Sequence, residues 1–167
     1  MSEIVVSLAL SFRIMLRWNA SRGNSIKHDQ INLSDIQKLI TNKQFQQALV
    51  SIKALLADQP EHVDALYMKA VCMRYLGRHD EALLTLTELQ KDNPLFSRAF
   101  QEEGHLQVAR VDQAAALKAY QQATRLNPAL LASWKGQLAI YNQQQNQAAA
   151  KQIKLQLDRL SQLPAPL

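Results

Sequence analysis

The chain has 167 residues, 47% of them hydrophobic, with four glycines and five prolines. That is enough apolar content for one domain or a short repeat array, and its wealth of Ala, Leu and Gln favours helix. The single cysteine, Cys72, excludes an internal disulfide framework and suits a reducing compartment, so a cytoplasmic location is expected. The formal charge of +5 sits at the ends: residues 1–28 and 129–167 carry +3 each, while residues 61–94 sum to −2. A nucleic-acid binder would carry its basic charge along one face of its body, so nucleic acid is not the expected partner.

The first expected element is an apolar helix over residues 1–18. Ile4 to Leu10 is an apolar run, continued by Phe12, Ile14, Met15, Leu16 and Trp18. Arg13 and Arg17 interrupt it, leaving it short of the roughly 20 clean residues of a membrane span. A basic leader and a small-residue cleavage site are lacking, so a helix packed on the rest of the chain, or laid on a membrane surface, is favoured over a cleaved signal. Residues 19–30, with Ser21, Gly23, Ser25 and several Asn, read as a linker. Beyond it, periodicity predicts helices near 31–42, 45–58, 61–76, 79–92, 96–109, 112–126, 129–144 and 146–162. No stretch alternates strictly enough to predict a strand. In the last helix Ile153, Leu157 and Leu160 form the apolar stripe, while Lys151, Lys154 and Asp158 form a wet face suited to a cap. Residues 164–167 are a Pro-rich tail.

Three marks impose a period. Pro60, Pro94 and Pro128 lie 34 residues apart, as do Ala48, Ala82 and Ala116, and as do Ile52, Leu86 and Tyr120. A unit of two short helices cannot bury its apolar stripe alone and must stack on its neighbours. The alanine allows the two helices to approach closely, and the large residue one turn later fills the space beside it. The proline ends the second helix. Gly77 supplies a left-handed stop between the two helices of the second unit.

These residues resemble the tetratricopeptide repeat family. The second unit presents Leu66, Ala70, Met73, Gly77, Ala82, Leu86 and Pro94 at the family's marks, and the third presents Phe100, Gly104, Ala116, Tyr120, Ala123 and Pro128. The fourth opens with Trp134, Leu138 and Tyr141 but has Lys154 where a large apolar residue belongs. The first keeps Phe45, Ala48, Ile52 and Pro60, with Asp35 at a mark expected to be apolar. The resemblance covers about residues 29–163, as units near 29–60, 61–94, 95–128 and 129–162. It implies an all-α fold, a right-handed superhelical α-solenoid, with degraded ends because terminal repeats face water on one side.

The resemblance also implies where a partner binds, since first helices line the concave face of such a stack. The positions between packing marks are Asp64, Tyr67, Met68, Val71, Arg74 and Tyr75 in the second unit. The third unit gives Arg98, Gln101, Glu102 and His105, and the fourth Lys135 and Asn142. This mixture of aromatic, arginine and amide groups suits a peptide; a solvated helix face is the bland alternative, and Tyr67 and Tyr75 fit core or groove equally. Relatives that hold chaperone C-terminal tails use a carboxylate clamp of Lys, Asn, Asn, Lys and Arg. Leu33, Gln37 and Met68 occupy its positions here, so such tails are not expected.

No chemistry stands out. Glu102 and His105 have Glu-x-x-His spacing, but a di-iron site needs a second such motif and two more Glu, and His-Glu-x-x-His is missing. Cys72 sits at a packing position. His28, His62 and His79 form no triad, and four scattered glycines make no phosphate loop. The expectation is a non-catalytic scaffold without metal or cofactor. Peripheral membrane contact through residues 1–18 and a homodimer stay open. A closer resemblance is to the N-terminal repeat segment of bacterial proteins that continue into a sulfotransferase domain. It rests on residues 65–72 and 101–106, and on Asn127-Pro128-Ala129-Leu130 leading to Trp134. It implies a docking module for a larger enzyme as the alternative. RNA binding by a helical array ranks last, because the concave positions do not recur.

Overall fold

The computed structural model describes residues 32–162; the expected apolar helix, the linker and the tail lie outside them. Eight helices follow one another among the described residues: α1 (Leu33–Thr41), α2 (Phe45–Asp58), α3 (Val63–Tyr75), α4 (His79–Asp92), α5 (Ser97–Ala109), α6 (Gln113–Leu126), α7 (Leu131–Gln143) and α8 (Gln147–Ser161). Each helix packs on the next, and α3, α5 and α7, the first helices of their units, also touch in succession, as do α1 and α3. The result is an all-α solenoid of helical hairpins.

α2 and α4 begin where periodicity predicts and the other helices one or two residues later, and for α3, α5 and α7 the physical reason repeats. After Pro60, Pro94 and Pro128 the chain makes a turn closed by His62 N–H to Gln59 O, Phe96 N–H to Asn93 O and Leu130 N–H to Asn127 O. Only then can a helix start. His62 caps α3 through Nδ1, which accepts from Ala65 N–H, while Asp112 and Asn146 cap α6 and α8 through their side-chain oxygens.

The turn inside each unit is also uniform. Lys43, Gly77, Val111 and Gln145 all adopt positive φ, between 56° and 75°, at 34-residue steps. Around each, two backbone bonds recur: Gln44, Arg78, Asp112 and Asn146 donate to residues five back, and the left-handed residues donate to residues three back. This is the Schellman closure of a helix C-terminus. Only one of the four positions is the expected glycine, so the conformation is imposed by the stack and not by Gly77 alone.

The marks of the period form the core. Ala48, Ala82 and Ala116 are fully buried, as are Ile52 and Leu86, and Tyr120 nearly so. Asp35 is exposed and paired with Lys38 at 2.9 Å. The apolar mark of the first unit is Ile36, fully buried, 34 residues before Ala70. The first helix of that unit therefore keeps the pattern, and the expectation placed on Asp35 was one residue out of register.

At α8 the pattern thins. Ile153 and Leu157 are half-buried, whereas the equivalent Ala119 and Ala123 of α6 are buried beneath the following α7. Lys154, at the position of Tyr120, is exposed.

Candidate functional site: the first-helix face

The third and fourth units are locked together by one aromatic ring. Tyr120, from α6, lies between Gly104 of α5 and Gly136 of α7. A Cβ added at Gly104 would stand 2.9 Å from Tyr120 Cγ and closer still to Cδ1 and Cε1, and one at Gly136 would stand 2.6 Å from Cζ. The Tyr120 hydroxyl and His105 Nδ1 are hydrogen-bonded at 2.7 Å, with the rings edge-on. Burial, aided by the positive charge of Arg74, pushes the His105 pKa down to about 4, so the imidazole is neutral at ordinary pH. Burial raises Tyr120 to about 12. Beside this ring Gln137 Nε2 donates to Thr124 Oγ1 at 3.1 Å, and Ser133 Oγ donates to Gln101 Oε1 at 3.2 Å, tying α5, α6 and α7 together.

A second polar tie joins α3 to α5. Arg74 Nε donates to Glu102 Oε1 at 2.5 Å, with the two side chains only 16% and 3% exposed. Burial dominates at Glu102 and holds its carboxyl above the usual range despite Arg74. At Arg74 burial pulls the other way, but the bond to Glu102 and its charge prevail and raise the pKa. Among the described residues, no buried side-chain nitrogen or oxygen lacks a partner. These groups are therefore structural ties.

This placement sorts the expected groove residues. Met68, Val71 and Glu102 are buried, so they leave the set. α3 and α5 each touch first helices on both sides, which covers the residues at those contacts. Arg74 is occupied by Glu102 and by the Tyr75 ring, over which its guanidinium lies 4.2 Å from the centroid. Tyr67 is half-buried, edge-on to Phe96, with Arg98 4.3 Å above its ring. Tyr75 is 56% exposed and stacks on Phe45 at 4.4 Å.

What remains exposed is Tyr75, Lys135 and Asn142, with Asp64, Tyr67, Arg98, Gln101 and His105 half-buried between them. Arg98 reaches Asp64 at 3.7 Å with both side chains more than 40% exposed, a pair of little energetic weight that a partner can displace. Lys135 has no ion-pair partner among the described residues.

Among the described residues no group of three or more His, Cys, Asp or Glu is placed to hold a metal. Glu102 and His105 are spent on Arg74 and Tyr120. Cys72 is fully buried, and burial, with the charge of Glu102, pushes its thiol up to about 12, which keeps it protonated and unreactive. Among the described residues no helix is long and apolar enough to cross a membrane.

With hairpins, period and inner face in place, comparison with known proteins gives the class. The tetratricopeptide repeat family profile matches residues 39–104, so that stretch is similar to tetratricopeptide repeats. Its solved neighbours share the fold at low identity. A crystal structure of MamA superposes with TM-score 0.70 at 13% identity, covering 89% of this chain and 85% of that one. MamA 41-end from Desulfovibrio magneticus RS-1 gives 0.67 at 16% identity, covering 96% of both chains. A chain in the structure of Naa15/Naa10 bound to HypK-THB gives 0.67 at 22% identity over 74% of this chain. This chain spans only 19% of that one's length. No curated protein matches the sequence.

Proposed function

We propose that the chain is a non-catalytic scaffold that binds another protein through the first-helix face of its repeats, taking up an extended or helical peptide segment. The observation that carries this reading is the split between occupied and open polar groups on one face. Arg74 engages Glu102 and His105 engages Tyr120, whereas Lys135 and Asn142 are exposed, and Tyr75 and the weakly paired Arg98 keep an accessible side for a partner. Tyr and Arg are the side chains that most often dominate binding energy, and here they sit on a rigid helical frame. The repeat match and the fold support the reading, and one fold neighbour is a chain of the structure of Naa15/Naa10 bound to HypK-THB. A cytoplasmic location fits the single buried thiol. Neither the sulfotransferase-linked reading nor RNA binding is favoured by these matches.

The test is an alanine triple variant, Arg98→Ala, Lys135→Ala and Asn142→Ala. It removes open groups and leaves the Arg74–Glu102 and Tyr120–His105 ties intact. Loss of partner capture at unchanged helicity supports the reading; undiminished capture overturns it.

A further inference from the structure

A second surface lies on the other side of the array. Between the second helices α4 and α6, with α5 as its floor, there is a hollow of about 420 Å³. Phe100, Ala115 and Ala119 give it an apolar base, and Gln90, Gln121 and Gln122 give it amide walls. Lys118 and Arg125 stand on its α6 side, seven residues apart, so roughly 10 Å along the helix. Neither has an ion-pair partner among the described residues. The one carboxylate in the lining, Glu103, accepts from Gln90 Nε2 at 2.8 Å and is set against two cations.

We infer that this hollow is a second docking site, for a short acidic peptide segment with an apolar side chain between its carboxylates. The apolar side chain enters over Phe100, and the flanking carboxylates meet Lys118 and Arg125. Charge complementarity selects the occupant, and the surroundings limit its length. The adjoining α4 exposes Asp80, Glu81, Glu88 and Asp92. These repel a long polyanion, while inside the hollow the two cations of α6 outnumber the single Glu103 carboxylate and favour a short acidic segment. With one partner on the first-helix face and another here, the array bridges two proteins.

The probe is a capped Glu-Leu-Glu-Glu-Leu-Glu peptide, with its lysine-for-glutamate counterpart and a dT12 oligonucleotide as competitors, titrated into the isotopically labelled chain. The readout is the side-chain amide NMR signals of Gln90, Gln121 and Gln122. The acidic peptide shifts these signals and the lysine peptide does not. The effect weakens as salt rises. Lys118→Glu with Arg125→Glu, both exposed positions, reduces the affinity by roughly tenfold. Filling the hollow by Ala115→Leu also reduces it, with no change of charge. Unmoved glutamine signals, equal response to the lysine peptide, undiminished binding to the charge-reversed variant, or tighter binding of dT12 would each overturn the assignment. The triple variant of the first-helix face binds this probe normally, which separates failure of the two sites.

Discussion

Gly104 and Gly136 are where a single methyl group decides most. Alanine in a helix interior is ordinarily better than glycine by about 1 kcal/mol. Here the added Cβ lands on the Tyr120 ring from either side. That ring is fixed by its hydroxyl bond to His105 and by packing between two helices, so it has nowhere to retreat. Overpacking typically costs about 1–3 kcal/mol and wins over the propensity gain. Gly104→Ala and Gly136→Ala are each expected to lower the urea midpoint, and each is tolerated once Tyr120→Leu opens the space. An unchanged midpoint in the single variants would mean the ring is free to move.

His105 sets a pH dependence by the same packing. Its pKa falls from 6.5 unfolded to about 4 folded, so the folded state binds fewer protons between those values. Stability from His105 is full above pH 6.5 and is lost as pH falls toward 4, by up to about 3 kcal/mol. Glu102 works the other way, because its raised pKa means the folded state holds its proton longer. The two effects oppose each other, and removing each group in turn separates them. His105→Gln should flatten the fall in urea midpoint between pH 6.5 and 4.5, while Glu102→Gln should leave it in place. A pH profile that His105→Gln leaves unchanged would contradict the assignment.

At the scale of the helix, the turn within each unit carries strain that the sequence hides. Lys43, Val111 and Gln145 hold the left-handed conformation that Gly77 holds freely. For an L-residue this costs about 1–2 kcal/mol, and most for β-branched valine, whose side chain here is 82% exposed and contributes little packing. Val111→Gly is therefore expected to stabilise the chain by roughly 1 kcal/mol, net of the entropy glycine adds to the unfolded chain, while Gly77→Val destabilises it. Chemical denaturation of both variants checks the sign.

The 34-residue step of proline, alanine and large apolar residues made helix number, order and core legible, because those positions are dictated by close approach between helices. The turn conformation was legible only at Gly77, since Val111 and Lys43 have no sequence mark for a positive φ. The exposure of Lys135 and Asn142 was legible. The burial of Met68, Val71 and Glu102 was not, since it depends on neighbouring first helices that no single-unit pattern encodes. The pairing of Arg74 with Glu102, 28 residues on, is likewise a contact between units.

Among the described residues, the stack concentrates its fixed polar ties between α3, α5, α6 and α7 and leaves charge open around them. Such ties hold the first helices at a set spacing, so a partner meets a preformed surface and little ordering cost is left to binding. The final helix departs from this scheme. Lys154 occupies the place where Tyr120 wedges between two units, so α8 presents a charged outer side instead of a socket for another ring.

The most direct measurement is quantitative capture of the partner from native cells by the wild-type chain and by the Arg98→Ala, Lys135→Ala, Asn142→Ala variant, with circular dichroism and melting run on both. Hot-spot truncations cost at least about 2 kcal/mol, or roughly thirtyfold in affinity. Capture is predicted to collapse by that order while helicity and melting stay those of the wild type. Equal capture by the folded variant would show that this face is not where the partner binds.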